Sequence, residues 1–227
     1  MLVLALDTAT PACVVSLCEV DQPPEPMVTE LGAESPVDAR RSGELLAPTI
    51  VSVLDAAGVR AAQLDAVVVG LGPGPFTSLR VGIVTAASLG HALGIPVHGV
   101  CSLDAFAVGT SGAVGVATDA RRRELYWGTY ADGVRQSGPA VARPPQVAGA
   151  FRAAGVLTVL GAGPILYPEA FDAASGAPAD AGVRYPRGRA VAELGARLLG
   201  TEPAPLAPLY LRRPDAAEPH PPRPVSV

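Results

Sequence analysis

Lysine is absent from this chain of 227 residues, and all 17 basic side chains are arginine. A Schiff-base lysine, the lysine of a phosphate-binding P-loop and a Ser–Lys dyad are therefore excluded outright. Asparagine is missing as well, and the bias toward Ala, Gly, Pro, Val and Arg is that of a GC-rich genome. Cys13, Cys18 and Cys101 are too few and too scattered for a disulfide framework or a zinc site, which points to a reduced, cytoplasmic setting. His91, His98 and His220 lack ligand-like spacing, so no metal centre is expected. No apolar run approaches the roughly 20 residues of a membrane span. The opening MLVLALDTAT has no basic n-region and reads as a strand. A net charge of −4 argues against a dedicated nucleic-acid binder. There is no GxSxG elbow and no cysteine with a recognisable histidine partner.

What is present is an α/β pattern, with 49% hydrophobic residues and length enough for one large domain or two small ones. Residues 2–6 and 14–20 are β-rich runs joined by DTATPAC and read as a hairpin. Residues 21–39 read as a loop with at most one short strand. Ser42 is a candidate N-cap for a helix over 43–57, with Leu46, Ile50, Val53 and Leu54 apolar, Gly58 as the stop and Pro48 predicting a kink or a later start. A strand over 66–70 leads through GLGPGPF into a helix over 77–93 that Gly94 ends. Residues 96–100 form a strand, and Ser102 can cap the helix after it. The second half again interleaves strands and helices, with strands over 113–118 and 124–130, a turn at Asp132-Gly133, a helix over 146–154, a strand over 156–160 and a helix over 189–199. Two related α/β units are expected, 1–104 and 105–213, followed by a mobile proline-rich tail over 214–227.

Two segments can carry chemistry. Asp7-Thr8-Ala9-Thr10 sits on a tight turn between strands, where backbone N–H groups could meet phosphate and the aspartate could orient hydrated magnesium. The same turn can equally satisfy its own backbone. Gly72 and Gly74, in Gly-Pro-Gly-Pro, open a helix N-terminus that suits an anion, or serve as a plain connector. Gly82, Ala86 and Gly90, spaced i, i+4, i+8, form a smooth stripe that lets another helix approach closely. The turn at residues 121–123 reads as a solvated charged face.

Taken together, LALDTATPACVVSL, ARRSGELLAP, GLGPGPFTSLRVGI, GIPVHGVCSLDAFA, DARRRELYWGTY and PLYLR resemble the TsaB family, also called YeaZ. The resemblance spans residues 2–211, and GPGPFTSLRVG is its most specific part. It implies the actin-like/sugar-kinase ATPase (ASKHA) fold, with two subdomains of mixed sheets flanked by helices. It also implies a non-catalytic subunit of the machinery that makes threonylcarbamoyladenosine at position 37 of tRNA. The implied partner is the catalytic paralogue TsaD, with the ATPase TsaE joining the pair, a homodimer forming when TsaD is absent, and tRNA met only through the complex. The implied interface is the two helices over 43–57 and 77–93, with Leu46, Ile50, Leu54, Arg80, Gly82, Ala86 and Gly90.

TsaD carries a His-x-x-x-His metal motif after the strand matching 96–100; here Ser102 and Phe106 stand in those places, and neither replaces an imidazole. Asp119 is followed by Ala120 and three arginines instead of phosphate-approaching glycines, and only Gly161-Ala162-Gly163 survives of the adenosine-side turn. Asp7, Thr8, Thr10, Gly72 and Gly74 are thus expected to be a vestige of an ATP site, with no cofactor required. Ser42 occupies a place where the family often has histidine. The competing expectation is a small ATP-dependent kinase or ATPase that uses Asp7.

Overall fold

A computed structural model describes residues 1–21, 26–171 and 179–212. The first sheet is built from β1 (Leu2–Asp7), β2 (Val14–Asp21), β3 (Met27–Glu34), β4 (Ala66–Gly70) and β5 (Val97–Val100), in the order β3-β2-β1-β4-β5. β1 pairs antiparallel with β2 and parallel with β4, so the sheet is mixed. The second sheet contains β6 (Ala113–Asp119), β7 (Leu125–Ala131), β8 (Val134–Ala142), β9 (Thr158–Leu160) and β10 (Ala179–Asp180). Taken in the direction β8-β7-β6-β9-β10, it repeats the first sheet's order, with antiparallel pairs on one side of β6 and parallel pairs on the other. One topology is used twice.

The side-chain period of two along β1 sorts the core. Leu4 and Leu6 face α1 (Ser42–Ala56) and α2 (Phe76–Leu93), where they meet Leu46, Ile50, Val53, Leu54, Ile83 and Ala86. Val3 and Ala5 face the other way, onto α6 (Gly188–Ala196). α6 can lie this close because of its small residues: a Cβ at Gly195 would overlap Val68, and one at Gly188 would overlap Ser16. The second sheet packs α4 (Pro144–Ala153) on one face through Val147, Ala148 and Phe151. Its other face receives Leu103, Phe106 and Ala107, from α3 (Asp104–Ala107) and the residue before it. A short α5 (Gly163–Leu166) follows β9.

Several local expectations need correction. Residues 27–34 form a full eight-residue strand held by β2, and 134–142 form an edge strand whose exposed, non-alternating pattern hides it from a periodicity reading. Arg41, not Ser42, is the N-cap of α1; it makes no side-chain cap but pairs with Glu44 at 2.8 Å. Pro48 lies inside α1 on the solvent side, and the helix starts before it at Ser42, so the later start does not occur. α6 belongs by packing to the first sheet although it comes after the second, so residues 105–213 are not a unit by themselves. Residues 206–210 likewise return to the first sheet's unit, with the Leu209 N–H donating to the Leu71 carbonyl, while Leu211 and Arg212 reach back to the second. The tail over 214–227 lies outside the described residues.

Candidate nucleotide cleft and partner face

The carboxyl ends of β1, β4 and β6 converge on a cleft of about 430 Å³, lined by Ala9, Thr10, Pro75 and Ser78 on one wall and by Asp119, Arg121, Ile165 and Leu166 on the other. In open α/β sheets this is where ligands bind. Of Asp7, Thr8, Thr10, Gly72 and Gly74 only Thr10 lines the cleft; the other four lie behind its wall, engaged with neighbouring groups of the chain. Thr8 Oγ1 donates to the Ser78 carbonyl at 2.7 Å. Gly74 is pressed onto the Ala9 backbone, and Gly72, at φ 96°, donates its N–H to Ser102 Oγ at 3.1 Å. Thr10 Oγ1 is buried without a hydrogen-bond partner among the described residues.

Asp7 is fully buried. Its Oδ1 accepts the Ala9 N–H at 2.9 Å, and its Oδ2, beside Gly70 and Ser102, makes no hydrogen bond of good geometry among the described residues. Burial pushes its carboxyl up from 3.8 to about 6, against smaller opposing effects of the Ser102 hydroxyl and the Ala9 N–H. Because the folded value lies above the unfolded one, the native state holds a proton that the unfolded chain has lost. Stability therefore falls as pH rises from about 4 to about 6, by roughly 3 kcal/mol from this group. Asp7→Asn should remove that decline and melt at or above the parent at pH 7, as thermal unfolding across pH will read.

The groups that a metal-bound triphosphate would need are taken up by the chain itself. Gly74 of Gly-Pro-Gly-Pro packs on the Ala9 backbone of the first turn, and Asp7 is fully buried behind it. On the opposite hairpin the Arg121 N–H donates to Asp119 Oδ1 at 2.7 Å, and its guanidinium lies 3.4 Å from Oδ2. Gly161, at φ 97°, leaves no space for a Cβ against the Ala117 carbonyl. Phe106 is buried in the apolar cluster on the second sheet, and Ser102 serves the glycine loop instead of capping α3, whose N-cap is Leu103.

The expected interface residues divide sharply. Leu46, Ile50, Leu54, Ala86, Gly82 and Gly90 are buried within the chain; a Cβ on Gly82 would overlap Thr8 Oγ1, and one on Gly90 would overlap Val97. The smooth stripe is therefore spent on the chain's own sheet. Arg80 is exposed but held, with its guanidinium 3.8 Å over the Phe76 ring and Nε donating to the Tyr210 hydroxyl, while Tyr210 stacks on Phe76 at 4.8 Å. What α1 and α2 turn outward is Ala47, Pro48 and Val51 together with Val84 and Ala87, Val51 being 56% and Val84 60% exposed. Exposed apolar side chains on two neighbouring helices, here set among exposed Ser52, Asp55, Ser88 and His91, are a place where a partner could dock. Its composition was readable in the sequence, but which side of each helix faced in was not.

Two mixed sheets of identical strand order with a cleft between their carboxyl ends define a protein of the actin-like/sugar-kinase ATPase class. A family model described as TsaD, tRNA N6-adenosine threonylcarbamoyltransferase, matches residues 31–153. YeaZ from Pseudomonas aeruginosa superimposes with a TM-score of 0.73 at 29% identity, covering 92% of this chain and 100% of that one. The Escherichia coli tRNA threonylcarbamoyladenosine biosynthesis protein TsaB is 33% identical over 135 residues, which is 57% of this chain and 55% of that protein. An uncharacterised protein of Mycobacterium tuberculosis is 45% identical over 94% of this chain and 93% of its own length. The chain belongs to the TsaB (YeaZ) family. Among the described residues no helix is long and apolar enough to cross a membrane.

Proposed function

We propose that this chain is a non-catalytic subunit in the formation of threonylcarbamoyladenosine on tRNA. It pairs with TsaD through the outward face of α1 and α2 and holds that enzyme in an active arrangement. TsaD supplies the metal, the substrate site and the transfer chemistry. TsaE joins the pair, and a homodimer through the same face takes the place of TsaD when the latter is missing. The observation that carries this reading is the apolar face around Val51 and Val84, which no described element of the chain covers. The burial of Asp7 behind the first turn supports it from the other side, since an ATPase using Asp7 would need that carboxylate at the cleft surface.

The test is reconstitution of tRNA modification with TsaD, TsaE and a threonylcarbamoyl-AMP synthase, with and without this chain. Modified adenosine should form only when the chain is present, with no turnover by the chain alone. Equal yield in its absence would sink the proposal. Calorimetric titration with ATP addresses the rival reading: binding that Asp7→Ala abolishes would favour it.

A further inference from the structure

We infer that the arginine turn between β6 and β7, with Arg143 and Tyr167, is a contact for the phosphate backbone of tRNA held by the complex. This rests on the function proposed above, and extends it from a subunit that meets only proteins to one that touches the RNA.

The backbone supplies the first observation. Arg121, Arg122 and Arg123 follow one another at φ 61°, 50° and 60°. The left-handed region is disfavoured for residues other than glycine, asparagine and aspartate. Three arginines in succession therefore sit where glycine would fold more easily. The turn is held by Asp119, which accepts the Arg121 N–H, and by Arg212, which donates to the Ala120 carbonyl, and this leaves the side chains of Arg122 and Arg123 at the rim.

Placement supplies the second. Arg122, Arg123 and Arg143 surround a depression of about 530 Å³ with Leu166 and Tyr167, and Glu169 is the one carboxylate among the described residues of its lining. Five arginines elsewhere sit against carboxylates: Arg41 with Glu44, Arg135 with Asp104, Arg184 with Asp180, Arg189 with Glu193 and Arg212 with Glu124. Among the described residues, Arg123 and Arg143 have no such partner. The N-terminus of α4, which Pro144 opens, points its positive end toward the same depression.

Chemistry selects the occupant. Guanidinium forks match phosphate oxygens bidentately, and a half-exposed tyrosine beside exposed Leu166 offers a ring on which a base can stack. The net charge of −4 keeps the chain from holding RNA unaided, so the patch acts once TsaD has brought the RNA near. It lies on the second sheet's unit, away from the α1–α2 face on the first, which lets the two surfaces be altered separately.

The experiment is fluorescence anisotropy of labelled tRNA with the assembled complex of this chain and TsaD over a salt series. It compares the parent with Arg122→Gln/Arg123→Gln/Arg143→Gln and with Arg123→Gly. The triple variant should assemble with TsaD, lose roughly tenfold or more in tRNA affinity and flatten the slope of log K against log salt by about 2. Arg123→Gly should melt at or above the parent while binding tRNA more weakly, a combination that a merely structural arginine would not give. Unchanged affinity and slope in a normally assembled complex overturns the inference. So does loss of TsaD binding by the triple variant, which reassigns the patch to a protein contact. Failure of the parent chain to pair with TsaD overturns both this inference and the function proposed above.

Discussion

Gly82→Leu should lower the melting temperature of the isolated chain by roughly 6–12 °C, the equivalent of about 3 kcal/mol for a domain of this size. The sequence alone suggests a different outcome, in which a leucine on an exposed stripe blocks a partner and spares the fold. The packing reverses that expectation. Gly82 faces Thr8, whose hydroxyl reaches across to the Ser78 carbonyl, and a Cβ placed there overlaps the hydroxyl itself. A leucine must push α2 away from β1, and it breaks a buried hydrogen bond worth about 1 kcal/mol as it does so. Ala86→Leu should act in the same direction, because Ala86 is fully buried in the core beneath α1 and α2. Differential scanning calorimetry of both variants decides it: a folded Gly82→Leu protein with an unchanged melting temperature would contradict the close contact between α2 and β1.

Val51→Asp combined with Val84→Asp should do the opposite, leaving the melting temperature within about 2 °C of the parent and weakening association with TsaD by roughly 30-fold or more. Both valines are more than half exposed, so a carboxylate at either site stays solvated in the free chain. In a complex the same carboxylates would be stripped of water against an apolar partner, a penalty of about 2 kcal/mol or more when no cation answers them. Any homodimer formed through this face should dissociate with the same double substitution, which sedimentation at several concentrations will show. A double variant that binds TsaD like the parent places the interface elsewhere on the molecule.

How much of this was legible before the structure differs from element to element. β1, β4 and α2 were readable because continuous apolar runs, the Gly/Pro break and the left-handed Gly94 are all local signals. That Asp7 and Gly72 come near one another was not read from the residues: it follows from the parallel pairing of β1 with β4, which ends both strands on the same side of the sheet. The edge strand β8 gave no alternation to detect, because its first five residues are all exposed. The fate of the Gly82, Ala86 and Gly90 stripe could not be read from spacing, which fixes a common face but not what that face meets. Ser102 suggested a helix cap, and only the approach of the glycine loop turned it into an acceptor for Gly72. The embrace of Arg80, Phe76 and Tyr210 joins residues 130 or more positions apart, beyond the reach of any local pattern.

The return of α6 to the first sheet has a consequence for the order in which the molecule can be made. During synthesis β1 to β5 emerge early, yet the apolar face formed by Val3, Ala5 and Val68 stays bare until residues 188–196 have followed the whole second sheet out of the ribosome. The early half is therefore a client awaiting its own late segment. A nascent chain arrested shortly before α6 should present that face to chaperones, and the cleft can take its final shape only after nearly everything else has been translated.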